Sequence, residues 1–437
     1  MNTGPFENKH MKKSTITCDM EGVIETMNEG AEKIFGYKKE ELIGIKRVSI
    51  FSPGEIVLQN VAKWLDTAVK NGIYEGETIF LSKNKEKINA KIRITPTFKN
   101  GKDNPQTGYC GVTEVIDKEV NVKINTSTNL IKWLAITRLP FTSASILPIF
   151  VIAAYFAFVG DNLFNTSTLI FSLMGVIFAH LSVNVFNDYF DNLDGTDEKN
   201  TQYFQQVSGG SRAIELGLIS LSKTKTLAYV LCLIAIIFGI LTVMSANSSN
   251  YFEIFLTAKA ALSLGYYYTA PPFRLVSRKG LGELTIFLTF GPLLTLGAAF
   301  AIFDGDLMSS EHFINCLLLG VPMGLLTTNI LLINQFPDAE SDKMTGKNHL
   351  VVTFGKKKSR WIYLSVLALT LLVSIYLAIN INYLIFVAIA ITGLFGFSII
   401  KHLFKYYKSR ELVKSNWNTI LLQAVFCIIL ILTFLVQ

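Results

Sequence analysis

From Arg138 onward the chain is a succession of apolar runs, each near the roughly 20 residues a helix needs to cross a bilayer. Nine such spans are expected, at 138–158, 168–186, 226–246, 252–269, 282–303, 313–335, 361–379, 382–402 and 417–436. The fourth is short and ends in Tyr266, Tyr267 and Tyr268, which suits a membrane interface. The seventh and eighth are separated only around Asn380 and Asn382 and form a tight hairpin. The polar connections alternate. Those after the odd spans carry no Lys or Arg, and the one after the fifth holds Asp304, Asp306 and Glu311. Those after the even spans are long and basic, with Lys199, Arg212, Lys223 and Lys225 in the first and Lys343, Lys347 and Lys356 to Lys358 in the third. Positive charge stays on the cytoplasmic side. The pattern therefore predicts an integral protein of the cell (inner) membrane, its N-terminus cytoplasmic and its C-terminus outside.

Ahead of the spans the period changes. Thr15–Cys18, Val23–Thr26, Glu77–Ser82, Ile88–Pro96 and Gly108–Val115 read as strands; Asn28–Phe35, Lys39–Ile43 and Ile56–Asn71 read as helices. Five strands with helices inserted after the second is an α+β pattern. Residues 126–137 then read as an interfacial linker helix, with Lys132 and Trp133. The expected fold is thus multidomain: an α+β domain over 1–125, the linker, and an all-α bundle of nine transmembrane helices over 138–437. The stretch from Asp19 through Gly22, Asn28, Phe35 and Gly36 to Gly44 resembles the PAS sensor family. That resemblance implies a cytoplasmic sensory or dimerisation domain, and so a homodimer formed through it. The PAS ligand is left open. No His lies between residues 11 and 120, and the Cys motif of flavin photosensors is absent, which argues against a His-ligated haem and against that flavin chemistry.

Composition supports the division. The chain has 437 residues, 50% hydrophobic and only 17% charged, where a soluble domain carries about 25% charge. Residues 1–125 hold nearly half of the charges, so the rest is more apolar still. A single soluble domain, a disordered chain and a secreted disulfide scaffold are excluded. The five Cys (Cys18, Cys110, Cys232, Cys316, Cys427) form no CxxC pair, which argues against zinc sites. No signal peptide is expected. The net charge of +7 follows the membrane topology and does not call for nucleic acid.

The chemistry gathers at the ends of the second and sixth spans. Asn184, Asn187, Asp188 and Asp191 fall at i, i+3, i+4 and i+7, one face of a helix, with Asp194 and Asp197 following. Asn334, Asp338 and Asp342 fall at i, i+4 and i+8, again one face, with Lys343, Gly346 and Lys347 following. Carboxylates at a membrane helix end are costly unless paired, solvated or metal-bound. Two such faces on the same side, without His or Cys, suit a hard cation such as Mg²⁺, which takes carboxylate and phosphate oxygens. The run Ser208-Gly209-Gly210-Ser211-Arg212 offers an amide nest for an anion. Arg274 and Arg278, in the connection after the fourth span, offer guanidinium forks, or are plain interfacial anchors.

The Asn-Asp-x-x-Asp of the first face, the Asp-x-x-x-Asp of the second and the Tyr/Pro/Arg connection between them resemble, in order and spacing, the UbiA superfamily of intramembrane prenyltransferases. The forms most resemble its 1,4-dihydroxy-2-naphthoate prenyltransferase-like (MenA-like) branch. The GGSR and PPFR variants depart from that branch, so naphthoate, hydroxybenzoate, homogentisate and glycerol-phosphate lipid acceptors all stay open. The resemblance implies a Mg²⁺-dependent transfer of a polyprenyl group from an allylic diphosphate to an aromatic acceptor, in menaquinone or related quinone biosynthesis. Asp188, Asp191, Asp338 and Asp342 would hold the metal. Asp194 or Asp197 would bind metal or take the acceptor's proton. Asn184, Asn187 and Asn334 would orient ligands; Arg212, Arg274, Arg278 and Lys343 would neutralise diphosphate. Tyr268 would shield an allylic cation, and Arg138, in Arg-Leu-Pro, would touch substrate. His180, one turn before Asn184, reads first as a buried structural histidine, and His349 has no evident role.

Two other classes compete on the bare residues. A PAS-linked receptor lacks an output domain after the last span. A transporter would place its polar site near the midplane, whereas these carboxylates lie at helix ends.

Overall fold

The computed structural model describes residues 13–160, 165–200, 202–204 and 208–436, in two compact units. The first comprises the chain up to Ile136 together with Arg212–Ser220. Its five strands, β1 (Lys13–Asp19), β2 (Ile24–Met27), β3 (Tyr74–Leu81), β4 (Lys87–Thr97) and β5 (Gly108–Val115), form one antiparallel sheet in the order β2-β1-β5-β4-β3. All five coincide with expected strands. Helices α1 (Glu29–Phe35) and α2 (Lys39–Leu42) follow β2. Asn28 starts α1 by accepting from the Ala31 amide at 2.9 Å, and Gly36, at φ 77°, ends it. The expected single helix over 56–71 is instead an α-turn, a π-helical stretch (Val57–Val61) and α3 (Ala62–Asn71). Alternate strand residues and one face of each helix bury Ile16, Ile24, Phe35, Phe51, Trp64 and Phe80. Cys18 lies in this core, where burial pushes its thiol up to about 12 and leaves it inert. A last helix, α4 (Thr126–Thr137), follows.

Residues 212–220 complete this unit. Ala213 and Leu218 are buried, Glu215 pairs with Lys46 at 3.7 Å, and a Cβ on Gly54 would come within 2.5 Å of Leu216 O. Only glycine permits that approach.

The second unit is helical: α5 (Ser143–Val159), α6 (Thr166–Leu193), α7 (Leu221–Ser245), α8 (Tyr251–Thr269), α9 (Leu281–Phe290), α10 (Pro292–Ile302), α11 (His312–Met344), α12 (Leu350–Asn380), α13 (Ile385–Tyr406) and α14 (Val413–Leu435). Among the described residues eight helices are long and apolar enough to cross a membrane, α9 and α10 counting as one. The expected fourth span forms α8 but is not among the eight; Glu253, Lys259 and the Tyr266–Tyr268 run leave it less apolar. Phe397 is 69% exposed and Leu394 76%, on α13, exposures that suit lipid rather than water. The bundle interior buries Tyr155, Phe336, Tyr363 and Phe426. The α9–α10 break falls at Gly291, where a Cβ would lie 2.6 Å from Gly320 O on α11.

Two helices continue beyond their apolar spans, as the one-face spacing of the motifs implied. α6 continues past 186 to Leu193, and α11 past 335, through Pro337, to Met344. Both acidic motifs are therefore helical throughout, and each presents its carboxylates on one face.

Candidate active site

The four motif carboxylates meet the same loop and turn. Asp338 Oδ1 accepts from Asn200 Nδ2 at 2.8 Å and from Ser208 Oγ at 3.0 Å, and its Oδ2 accepts from the Gly209 amide at 3.0 Å. Two residues on, the Ser211 amide donates to Asp188 Oδ1 at 3.1 Å. Residues 208–211 thus strap the end of α6 to the end of α11. The amide nest is filled by the protein's own carboxylates. Gly209 and Gly210 both have φ above 70°, and a Cβ on Gly210 would lie 2.8 Å from Asp188 Oδ1 and 3.7 Å from Asp197 Oδ1. Glycine is required there by conformation and by space.

A second bridge is cationic. Gly346, at φ 77°, turns the chain after α11, and Lys347 enters between the motifs. Its ammonium stands 2.7 Å from Asp191 Oδ1 and 3.9 Å from Asp342 Oδ1. Burial alone would lower the Lys347 pKa, but Asp191 and Asp342 outweigh it and hold the group above its ordinary value. His349 Nδ1 accepts from the Val352 amide at 3.3 Å, which leaves Nε2 to donate to Asp342 Oδ2 at 3.0 Å. Behind this turn, buried Glu283 accepts through Oε1 from Gln335 Nε2 and from the Leu350 amide, both at 2.9 Å.

The expected site residues fare differently. Asn187 accepts from Thr269 Oγ1 at 2.8 Å, Asn184 donates to Thr137 O at 3.2 Å, and Asn334 accepts from Asn416 at 2.8 Å. Asp194 pairs with Arg274 at 2.6 Å. Arg138 stacks on Phe141 and contributes to the field at Asp188 and Tyr268. Arg278 is exposed and donates to the Phe273 and Pro272 carbonyls of its own loop. Lys343 is exposed. Arg212 belongs to the first unit and pairs with Glu215 at 3.1 Å. The sequence placed Lys347 and His349 after the second acidic face without a role at the site, and gave no sign of Asn200 or Glu283; the signal for Lys347 was the Gly346 that precedes it.

Among the described residues no three Asp, Glu, His or Cys side chains converge as a metal-holding group. Each motif carboxylate is instead held by an N–H or an ammonium. The donor set nonetheless fits Mg²⁺, which commonly takes one or two carboxylates and fills its remaining positions with phosphate oxygens and water. The cation between Asp191 and Asp342 marks where positive charge is in demand.

An apolar cavity of about 250 Å³ opens beside the motifs. Asn184, Asn187 and Tyr268 line its acidic end, and Thr242, Ile254 and Ala301 its far end. Much of the wall between is small, with Gly175, Gly239, Ala261 and Gly265. The acidic helix ends thus adjoin a largely apolar chamber.

Residues 12–115 match the PAS domain. The chain is similar to the chloroplastic 2-carboxy-1,4-naphthoquinone phytyltransferase of Arabidopsis thaliana, 28% identical over 65% of this chain and 68% of that one. It is similar to the 1,4-dihydroxy-2-naphthoate octaprenyltransferase of Haemophilus influenzae, 29% identical over 47% of this chain and 64% of that one. A UbiA homolog of Aeropyrum pernix K1 shares the fold of the second unit, with a TM-score of 0.52 at 17% identity over 68% of this chain and 98% of that one. The pattern of the UbiA prenyltransferase family matches residues 146–434, and the chain belongs to that family.

Proposed function

We propose that the protein is a Mg²⁺-dependent enzyme that transfers a polyprenyl group from an allylic diphosphate to a naphthoate-type aromatic acceptor; the acceptor class is that of the naphthoquinone phytyltransferase and naphthoate octaprenyltransferase it is similar to. One observation carries the reading: the 208–211 strap and Lys347 tie two acid-tipped helices together at the mouth of the apolar cavity.

Asp188 and Asp191 on α6, and Asp338 and Asp342 on α11, would hold the metal, with Asp197 beside Asp188. Bound Mg²⁺ would supply charge stabilisation of the departing diphosphate. Lys347 adds a fixed positive charge that stays protonated through the working pH range. Asp194 anchors Arg274, which would help to neutralise the diphosphate. Asn184, Asn187 and Asn334 would orient ligands at the acidic end. The chamber takes the prenyl chain and keeps water from the reacting carbon. In the transfer the C1–O bond breaks with its electron pair leaving on diphosphate. C1 then bonds to an acceptor ring carbon, and the ring regains aromaticity by losing the proton or carboxyl group displaced.

The reading includes α8 as a ninth crossing, shorter and more polar than the rest. It places the basic connections and the N-terminus in the cytoplasm and the C-terminus outside, at the inner membrane. The PAS domain acts as a regulatory module, through dimerisation or a small ligand. The test is incubation of the full chain in lipid vesicles with radiolabelled geranylgeranyl diphosphate and 1,4-dihydroxy-2-naphthoate, with EDTA or Mg²⁺. Mg²⁺-restored labelling of the naphthoate is expected. Absence of labelling with naphthoate, but not with 4-hydroxybenzoate, overturns the acceptor; absence with both overturns the transfer.

A further inference from the structure

The cavity wall carries one imidazole, and nothing in the proposed reaction yet uses it. His180 lies on α6 with its ring edge-to-face against Phe290, centroids 5.2 Å apart. Its Nδ1 stands 2.6 Å from Ser145 Oγ on α5, so the ring is fixed from a second helix. Both residues line the cavity. Among the described residues Nε2 has no hydrogen-bond partner.

The other polar side chains of the wall are already engaged. Ser172, Thr242, Thr257, Thr285 and Thr289 each donate their hydroxyl proton to a carbonyl three or four residues back on their own helix. Asn184 donates to Thr137 O, and Asn187 accepts from Thr269. What remains for a ligand is His180 Nε2, with the Tyr268 hydroxyl toward the acidic end. A prenyl chain has no use for either. An aromatic acceptor bearing hydroxyl groups does.

Depth agrees. His180 precedes Asp188 by eight residues on one helix, about 12 Å of rise. That lies beyond a diphosphate gripped at Asp188 and Asp191, at the level of the first carbons of the donor and the ring they join.

We infer that His180, fixed by Ser145, binds a ring hydroxyl of the aromatic acceptor through Nε2 and aims the adjoining ring carbon at the allylic carbon. This deepens the proposed function and rests on it. With Nδ1–H donating to Ser145 Oγ, Nε2 accepts the hydroxyl proton as a hydrogen bond. The hydroxyl oxygen gains electron density, and so does the ring carbon beside it.

The test compares His180→Asn, His180→Gln and Ser145→Ala with the unaltered full chain in vesicles, measuring KM separately for 1,4-dihydroxy-2-naphthoate and for geranylgeranyl diphosphate. Asn keeps a group near Ser145 but loses Nε2; Gln restores a polar group at the Nε2 position. The naphthoate KM should rise about tenfold in His180→Asn, the loss of one buried hydrogen bond, less in Ser145→Ala, and recover in His180→Gln. The donor KM should stay within about twofold, which also reports an intact fold. A donor KM that moves as much as the acceptor KM, or an unchanged acceptor KM in His180→Asn, overturns the inference. If the unaltered chain labels hydroxybenzoate but not naphthoate, the acceptor assignment fails, and the same KM split is read on hydroxybenzoate.

Discussion

Lys347 Nζ lies 2.7 Å from Asp191 Oδ1, so a residue that follows the second acidic helix neutralises a carboxylate of the first. The two residues are 156 apart in the chain. Lys347 is only 6% exposed, so water screens little of the attraction. Its backbone is fixed as well, because its amide donates to Asp342 O at 2.8 Å.

Replacing Lys347 with Met should therefore leave the partly buried Asp191, and the buried Asp342 beside it, without their ammonium partner. Loss of one partner of a buried pair costs roughly 3–5 kcal/mol, shared between stability and catalysis. The expected outcome is a fall in kcat/KM for the prenyl diphosphate of about a hundredfold or more, with Lys347→Arg retaining part of the activity. Steady-state kinetics at saturating acceptor check this. Wild-type kinetics in Lys347→Met would remove the residue from the site.

Gly210→Ala tests the strap. The substitution adds one methyl group to a residue at φ 74°, and the methyl would sit 2.8 Å from Asp188 Oδ1. Residues 208–211 must shift, and Ser211 and Asp188 with them. The Mg²⁺ concentration for half-maximal activity should rise by about tenfold, while the thermal transition of the protein changes little, since the strap buries no hydrophobic core. A metal titration followed by transfer rate gives the answer; an unchanged midpoint would mean that the strap does not position Asp188.

How far the site could be read from sequence depended on the range of the interaction. The spacing of Asn184, Asn187, Asp188 and Asp191 implied one helical face, and α6 supplies it. The strands of the first unit were equally legible, because period-two alternation is local. Lys343 was expected at the site because it follows Asp342. On a helix, successive side chains diverge by about 100°, so Lys343 faces solvent while the left-handed turn at Gly346 returns Lys347 to the carboxylates. The strap was legible as a glycine-rich turn but not in its target. Nothing local to 208–211 says that its amides meet Asp338, 129 residues away from Gly209. The i, i+4, i+8 spacing of Asn334, Asp338 and Asp342 likewise implied one helical face, and α11 supplies it by running on through Pro337 to Met344.

Phe35→Ala addresses the first unit. Phe35 is 1% exposed, stacked on Phe51 with centroids 4.2 Å apart and edge-on to Phe80 at 5.8 Å. Truncation opens a cavity at the meeting point of α1 and the sheet, at about 3–5 kcal/mol. Limited proteolysis of the full chain should show cleavage within residues 13–125 at a protease dose that leaves the unaltered protein intact. If transfer activity survives that cleavage, the PAS domain is dispensable for the chemistry; if it falls, the domain supports the enzyme as a regulatory module should.

The chamber predicts a donor-length effect. A Cβ on Gly239 would meet no other atom within 4 Å, so that face of α7 is open, and the residue lines the cavity near its far end, one turn before Thr242. The Cβ of a Phe at this position would meet no neighbour, and its ring would occupy the far end of the cavity. Helix propensity changes in favour of the variant, since Gly in a helix interior costs about 1 kcal/mol, so folding should not suffer. Short donors reach only the acidic end and should react as before. Long donors must pass Gly239, and their kcat/KM should fall by at least about tenfold, the cost of displacing two or so buried methylenes. A competition between geranyl and solanesyl diphosphate, read by mass spectrometry of the products, measures the ratio directly. An unchanged product ratio would mean that the prenyl tail leaves the cavity before Gly239, sideways between helices into lipid.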